Sequence, residues 1–227
     1  MDYAMLSRLS IQSTSDTDDY MNYPVIAANA AAAVTPEQAA VWSYPMTHDS
    51  WKDEDELCEE TVFNMVSSML LRIHMSGHLV QLDDMRKRMV KEGIAVYKML
   101  RSDIPDARPF WPLGLASYQD EWIAFGLKRN DHAYLAVWKR MAEEDTENAA
   151  LRKEKETTKQ IPLPEDLMQA ADRCRDIDIR CIYPAGLETD YSYCRENHTL
   201  VFRTKKRFTA RLFRVTVKAK DNQTQET

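Results

Sequence analysis

The sequence predicts a parallel α/β segment followed by an all-β segment, on the strength of three observations. Helical and strand-like patterns alternate up to about residue 105, whereas strand-like patterns dominate beyond it. An irregular apolar link, Phe110-Trp111-Pro112-Leu113-Gly114, lies near the change. Alternating helices and strands are typical of a parallel sheet that is covered on both faces, and consecutive strands are typical of antiparallel sheets.

The first segment opens with the end of a helix at residues 1–8 and a short strand at residues 9–15. The run Thr35-Pro36-Glu37-Gln38 predicts a helix start, because it offers a capping threonine, a proline at the first helical position and a glutamine that completes a capping box. A second strand is predicted at residues 40–43.

Two amphipathic helices follow, one at residues 60–71 after an acidic loop at residues 48–60, and one from Asp83 or Asp84 to about Arg101. A third strand, at residues 71–75, lies between them. Apolar residues at helical spacing predict the buried stripe of each helix. The predicted inward residues are Val62, Met65, Val66, Met69 and Leu70 in the first helix, and Met85, Met89, Val96, Tyr97 and Leu100 in the second.

The second segment begins with a predicted hairpin, in which strands at residues 122–127 and 133–140 flank the polar turn at residues 128–131. The charge run at residues 143–159 indicates a solvated loop or a short exposed helix. Further strands are predicted at residues 177–182, 199–203 and 210–217, and residues 219–227 form a polar tail that is expected to be disordered.

The first segment is too short for a closed barrel, since a (β/α)8 barrel needs roughly 250 residues. About 105 residues suffice for three βα units. The predicted fold class is therefore the end of an incomplete (β/α)8 barrel at residues 1–105, followed by an antiparallel β-sandwich at residues 106–218.

Composition narrows the function classes. The net charge is -6 and no long basic run occurs, so nucleic acid is not an expected partner. The longest apolar run, at residues 27–34, is too short to span a bilayer, so no membrane partner is expected. The first five residues lack a signal-peptide pattern, and the compartment stays open.

Metal and cofactor sites are not expected. The four cysteines, Cys58, Cys174, Cys181 and Cys194, form no C-x-x-C arrangement. His74 and His78 have metal-ligand spacing, but Ser76-Gly77 between them favours the end of a strand over a helical metal site. A Cys174–Cys181 or Cys181–Cys194 disulfide stays open.

Asp16 is the candidate catalytic residue, because α/β barrels place reacting groups at the carboxyl ends of their strands and Asp16 follows a short strand. The alternative role is an N-cap for the next helix. Trp42 and Tyr44 are candidates for a sugar-stacking wall, since aromatic faces suit the apolar side of a pyranose; core packing is the alternative.

The sequence around Asp16, from Met1 to Ser15-Asp16, resembles the acid/base region of the α-galactosidases of glycoside hydrolase family 36. The resemblance continues through Val34-Thr35-Pro36-Glu37-Gln38, Trp42-Ser43-Tyr44-Pro45 and Leu70-Leu71-Arg72-Ile73-His74-Met75-Ser76-Gly77, and includes Phe110-Trp111-Pro112-Leu113-Gly114. It implies a retaining hydrolase that releases terminal α-linked galactose from oligosaccharides of the raffinose or melibiose type, with Asp16 as general acid/base and no cofactor.

The resemblance also implies residues that this chain does not contain. The family's aspartate nucleophile lies in a Lys-Trp-Asp context and its sugar-binding stretch reads Cys-Ser-Gly-Gly, and neither motif occurs here. The chain is therefore expected to be a C-terminal fragment that is inactive alone. Asp18 stands where the family has threonine. Hydrolysis or galactosyl transfer, and a homo-oligomeric parent, stay open.

A non-catalytic function is the alternative. The β segment carries Trp122, Trp138 and several tyrosines, which could bind a carbohydrate or a partner chain without any reaction.

Overall fold

Three parallel strands begin the fold, and two antiparallel sheets complete it. The computed structural model describes residues 3–15, 17, 19–46, 54–141, 156–172 and 175–219. The helices in those ranges are α1 (Tyr3–Leu6), α2 (Tyr23–Ala30), α3 (Glu54–Met69), α4 (Asp84–Leu100) and α5 (Glu165–Asp172). The strands are β1 (Gln12–Ser13), β2 (Ala39–Ser43), β3 (Arg72–Met75), β4 (Arg108–Phe110), β5 (Trp122–Lys128), β6 (His132–Lys139), β7 (Thr157–Pro162), β8 (Arg175–Tyr183), β9 (Asp190–Cys194), β10 (Thr199–Thr204) and β11 (Thr209–Ala219).

The parallel sheet has the order β1-β2-β3, which confirms the three strands predicted in the first segment. Gln12 lies opposite Ala39 and Trp42 lies opposite His74. β2 is the central strand of this order. Ser43 on β2 donates its hydroxyl to the sulfur of Met65 on α3 at 3.5 Å, so one face of the strand packs on this helix.

α3 begins earlier than the sequence predicts. Residues 54–60 were expected to belong to an acidic loop, but they form the first turns of the helix. The prediction was wrong because these residues carry few apolar side chains, so the hydrophobic period becomes visible only at Val62. Residues 47–53 of the expected loop lie outside the described residues.

α2 occupies a segment for which no helix was predicted. Its side chains are small and almost all buried, so polar and apolar faces do not alternate. The predicted helix start at Thr35 is wrong, since residues 36–38 form a turn that leads directly into β2. The amide of Ala39 donates to the carbonyl of Thr35 at 3.2 Å, which closes one turn only.

α4 agrees with its prediction at both ends. Asp83 is the N-cap and accepts the amide hydrogen of Arg86 at 2.8 Å. Met89, Val96 and Leu100 are buried as predicted, but the prediction that Met85 faces inward was wrong, since Met85 is 40% exposed.

The larger antiparallel sheet has the order β4-β5-β6-β11-β8. The predicted hairpin is confirmed, with Trp122 opposite Lys139 and Lys128 opposite Ala133. β6 is buried along its whole length, because both faces of the sheet are covered. The predicted strands at residues 177–182 and 210–217 are β8 and β11.

The smaller antiparallel sheet has the order β7-β10-β9 and packs with α5 on the larger one. β10 matches the predicted strand at residues 199–203, whereas β7, β9 and α5 were not predicted. β7 occupies part of the charge run that was expected to be a loop or helix; residues 143–155 of that run lie outside the described residues. β11 extends to Ala219, and residues 220–227 of the expected tail are also outside the description.

Two hydrophobic cores lie on opposite faces of the larger sheet. One face packs against the helices of the first segment through Phe125, Trp138 and Leu212. The other face packs against the smaller sheet through Leu135 and Phe213. The larger core therefore contains residues from both sides of position 105.

Candidate functional site

The carboxyl ends of the three parallel strands form the candidate site. Because the strands are parallel, the residues that follow them meet at one edge of the sheet. Thr14 follows β1 and donates both its amide and its hydroxyl to the carbonyl of Ala40, at 3.0 and 2.9 Å. Ser76 follows β3 and donates its amide to Ser43 at 2.9 Å. These bonds fix the start of each loop at the edge.

The loop after β1 contains Asp16 and Asp18, which lie outside the described residues. Its described residues are held by local hydrogen bonds: the amide of Thr17 donates to Ser15 Oγ at 3.2 Å, and Tyr23 OH donates to the carbonyl of Thr17 at 2.6 Å. The N-cap of α2 is Asn22, and the alternative role of Asp16 as an N-cap stays a prediction.

Asp19 stabilises the same loop. Its carboxylate accepts the amide of Met21 at 3.1 Å and the side-chain amide of Asn22 at 2.5 Å. Both bonds are local, so Asp19 closes the turn that leads into α2.

Trp42 and Tyr44, the two residues predicted to form an aromatic wall, lie next to each other. Their ring centroids are 6.3 Å apart and the rings are inclined by 30°. His74 meets the Trp42 ring edge-on at 5.1 Å, and Tyr23 lies 5.8 Å from Tyr44. Both candidate side chains are half-buried, and their role in sugar binding stays a prediction.

The indole N–H of Trp42 is a buried donor for which the described residues offer no acceptor. Trp42 lies on the opposite face of β2 from Ser43, which contacts α3. A buried polar group without a partner costs free energy, so this donor is suited to an acceptor from another molecule or chain segment.

Tyr23 connects the two parts of the site. Its hydroxyl bonds to the residue after Asp16, and its ring contacts Tyr44. Sequence reasoning missed Tyr23, because a tyrosine before Pro24 shows only as the start of a small-residue stretch.

Arg140 holds the same loop from the other side, and sequence reasoning missed it too. The guanidinium donates to the carbonyl of Met21 at 2.7 Å and to Asn22 Oδ1 at 2.9 Å, and also to the carbonyls of Tyr118 and Asp120 at 2.8 and 3.1 Å. It thus ties the loop of the parallel sheet to the antiparallel region. No sequence pattern signals it, because its contacts on this loop are 118 and 119 residues away.

Arg72, which precedes His74 on β3, has a backbone role. Its Nε donates to the carbonyl of Glu37 at 2.6 Å. Burial raises the pKa of the neighbouring Tyr97 phenol, although the positive charge of Arg72 opposes the shift.

The tryptophans of the β segment pack in or against the hydrophobic cores. Trp138 is 1% exposed, and Trp122 packs edge-to-face on Phe202 with the centroids 5.9 Å apart. Trp138 therefore offers no surface for sugar stacking. Trp111 donates its indole N–H to the carbonyl of Ala28 on α2 at 2.6 Å, and so joins the two segments.

The described ranges show neither the residue pattern of a metal site nor that of a membrane-spanning helix. No group of three or more His, Cys, Asp or Glu suited to a metal ion occurs in them. None of their helices is long and apolar enough to cross a membrane. Cys58, Cys181 and Cys194 are free thiols, and Cys174 lies outside the description.

Comparison with solved structures shows what the fold resembles. The α-galactosidase AgaA of glycoside hydrolase family 36, from Geobacillus stearothermophilus, has a TM-score of 0.66 and 15% identity, over 95% of this chain and 27% of its own. AgaB from the same organism has a TM-score of 0.65 and 16% identity over the same shares. The α-galactosidase from Lactobacillus brevis has a TM-score of 0.59 and 10% identity, over 93% of this chain and 27% of its own.

Sequence comparison adds no relative: neither a protein-family model nor a curated protein matches the chain. Variants of AgaA have been solved in complex with raffinose and with stachyose. The chain spans about a quarter of the length of these solved structures. At this level of identity the likeness concerns the fold, and it is to the C-terminal part of these α-galactosidases.

Proposed function

We propose that the chain is the C-terminal part of a retaining glycoside hydrolase that releases terminal α-linked galactose from oligosaccharides of the raffinose or melibiose type. The observation that carries the proposal is the edge of the parallel sheet, where the loop that contains Asp16 is anchored beside Trp42 and Tyr44 in a fold like that of solved α-galactosidases.

In this proposal residues 1–105 are the last three βα units of a (β/α)8 barrel, residues 106–218 are a β-sandwich and residues 219–227 are a tail. Three parallel strands with α2 and α3 beside them support the first assignment. Two antiparallel sheets that share a core support the second.

Asp16 is the proposed general acid/base. It would protonate the glycosidic oxygen as the bond breaks, and would then accept a proton from the attacking water. If Asp18 is ionised nearby, its negative charge raises the proton affinity of Asp16, which suits a group that begins the cycle protonated. An acceptor sugar in place of water would give galactosyl transfer by the same steps.

The second carboxylate of a retaining mechanism must stand about 5–5.5 Å from the first. The resemblance places this nucleophile in a Lys-Trp-Asp sequence, and Trp51-Lys52-Asp53 has another order and position. The nucleophile would therefore come from a longer polypeptide, and the isolated chain should not form a glycosyl-enzyme intermediate. The buried indole N–H of Trp42 is the donor that we assign to a sugar hydroxyl.

The experiment compares the isolated chain with a polypeptide extended by the coding region upstream of Met1. We expect Lys-Trp-Asp and Cys-Ser-Gly-Gly in frame in that region, turnover of nitrophenyl α-galactoside by the extended polypeptide and none by the isolated chain. A stop codon immediately upstream, or turnover by the isolated chain that depends on Asp16, would contradict the proposal.

Within the extended polypeptide, Asp16→Asn should lower turnover of raffinose by about 10²–10⁴-fold. The loss should be smaller for the nitrophenyl substrate, because nitrophenolate leaves with little protonation. Asp19→Asn is the matched control: it keeps an oxygen to accept the Met21 amide and should retain activity. Equal losses on both substrates would show that Asp16 does not act as the general acid.

A further inference from the structure

A polar pocket lies far along the chain from the candidate site, between the edge of the larger antiparallel sheet and α5. Its volume is about 240 Å³. Its charged and amide side chains come from β4, β5, the β5–β6 turn, the short turn before β4 and the start of α5. They are Asp106, Arg108, Lys128, Arg129, Asn130 and Asp166.

Two cations lie directly opposite each other in this pocket. Arg108 on β4 is the register partner of Lys128 on β5, so both side chains point to the same face of the sheet. Like charges in such a pair destabilise a sheet. Asp166 forms an ion pair with Lys128, whereas no carboxylate among the described residues pairs with Arg108.

Two aspartates fix the position of the Arg129 side chain. Its guanidinium lies 3.1 Å from Asp106 and 3.7 Å from Asp103. Asp103 in turn accepts hydrogen bonds from the hydroxyl of Tyr134 at 2.8 Å and from the ring Nε2 of His132 at 3.2 Å. Two carboxylates thus fix the Arg129 guanidinium in the lining of the pocket.

The Asp103 carboxylate stays ionised in this network. Burial opposes its ionisation, but the hydrogen bonds from Tyr134 and His132 outweigh that effect, so the pKa of Asp103 lies below its ordinary value. Burial is the larger cause, and the contact with Asp103 the second, of the rise in the pKa of Tyr134 to about 12. Asp103 is therefore a positioning residue for Arg129 at neutral pH.

The lining carries three positive and two negative side chains, and the Asp103 carboxylate behind Arg129 balances the third positive charge. Arg108 is the cation of this cluster with which no described carboxylate pairs. We propose that the pocket binds a hydroxylated carboxylate of monosaccharide size, such as a sugar acid. The planar fork of Arg108 matches a carboxylate, and Arg129 and Asn130 add N–H donors. Asp106 and Asp166, which are largely exposed, can accept hydrogen bonds from the ligand's hydroxyl groups.

One negative charge fits better than two. With Lys128 matched by Asp166 and Arg129 by Asp106, a single carboxylate neutralises Arg108. A dianion such as phosphate would leave an excess negative charge beside two aspartates. The site is independent of the proposed hydrolysis, because none of its residues belongs to the parallel sheet.

The test uses the full 227-residue chain and calorimetric titration with sodium glucuronate at constant ionic strength. We expect saturable binding of glucuronate that is at least about 10-fold tighter than binding of glucose, which lacks the carboxylate. Arg108→Gln should weaken glucuronate binding by about 10-fold or more. The control Arg180→Gln, an exposed arginine paired with Asp178 on β8, should leave it unchanged.

Arg108 is exposed and unpaired among the described residues, so Arg108→Gln should fold, and a thermal melt checks this. The comparison of glucuronate with glucose needs no variant and remains decisive if the melt differs. Equal binding of glucose and glucuronate, no loss in a folded Arg108→Gln, or binding of inorganic phosphate in preference to glucuronate would overturn the proposal.

Discussion

At the scale of single residues, one buried ion pair joins the two segments. Arg211 on β11 donates from Nη1 and Nη2 to the two carboxylate oxygens of Glu59 on α3, at 2.8 Å each. Both side chains are at most 4% exposed. The remaining N–H groups of the guanidinium reach Thr189, Thr209 and the carbonyl of Ala210 at 2.8 Å.

The carboxylate of Glu59 offsets the burial of the Arg211 guanidinium. Burial alone would lower the pKa of Arg211, but the carboxylate of Glu59 outweighs this and raises it. The pair could not be predicted, because its members are 152 residues apart and Glu59 was assigned to a loop. Sequence patterns register neighbours within a few residues, and a contact of this kind exists only once the sheet and helix have packed.

We expect Arg211→Met to lower the free energy of unfolding by about 3–5 kcal/mol, because it leaves the buried carboxylate of Glu59 without its cation and with the Thr209 hydroxyl as a remaining donor. The double variant Glu59→Leu/Arg211→Met should lose less than Arg211→Met alone. Denaturant unfolding followed by circular dichroism measures both values.

The matched control is Arg195→Gln, since Arg195 pairs with Asp176 on the surface, where the two side chains are 72% and 60% exposed. Exposed pairs contribute about 0–1 kcal/mol. If the two arginine variants lost equal stability, the buried pair would have no special role.

At the scale of elements, helices and strands with two unlike faces were predictable and uniformly buried ones were not. α4 showed a clear stripe, with Met89 and Val96 inward, and Asp83 gave its start. α2 is buried on most sides, so its alanines show no period. Thr35 imitated a cap because caps are short local patterns that also suit a turn before a strand.

The candidate site was predictable in part for the same reason. Trp42 was assigned to a strand, and β2 places it beside Tyr44. Tyr23 and Arg140 could not be found, because their roles depend on contacts between elements that are distant in the sequence.

The pairing of β4 with β5 depends on a glycine. Gly126 lies opposite Phe110, whose ring covers the space where a side chain would stand. A Cβ atom at position 126 would overlap that ring and would lie 2.8 Å from the carbonyl oxygen of Tyr134.

Gly126→Ala should therefore lower the free energy of unfolding by about 1–3 kcal/mol, as overpacking of a filled core does. Gly186→Ala is the control, because no atom lies within 4 Å of the added Cβ and the change should be close to neutral. Chemical denaturation measures both. Equal midpoints for the two variants would mean that the strand edge relaxes freely around the new methyl group.

At the scale of the whole molecule, the larger antiparallel sheet is the centre of the structure. The sequence predicted two consecutive segments, and in the structure antiparallel strands follow α4 from Arg108 onward. It did not predict that one sheet serves both cores. β6 shows the reason, since a strand buried on both faces has no alternation of polar and apolar residues.

Residues 106–219 alone should fail to form a stable monomer. Without α2, α3 and α4, one face of the larger sheet would expose Ile123, Phe125 and Trp138 to water. We expect this piece to bind a hydrophobic dye and to self-associate, whereas the whole chain unfolds in a single transition. A monomeric piece with its own cooperative transition would contradict a shared core.

The shared sheet also bears on how such a chain can change over generations. Neighbouring positions of β6, such as Leu135 and Ala136, face different cores and pack against different elements. Substitutions along this strand must therefore keep the packing on both faces, against the helices on one side and against the smaller sheet on the other. Recombination that exchanged the β region as a module would have to bring matching helices with it, so the two halves are expected to be inherited together.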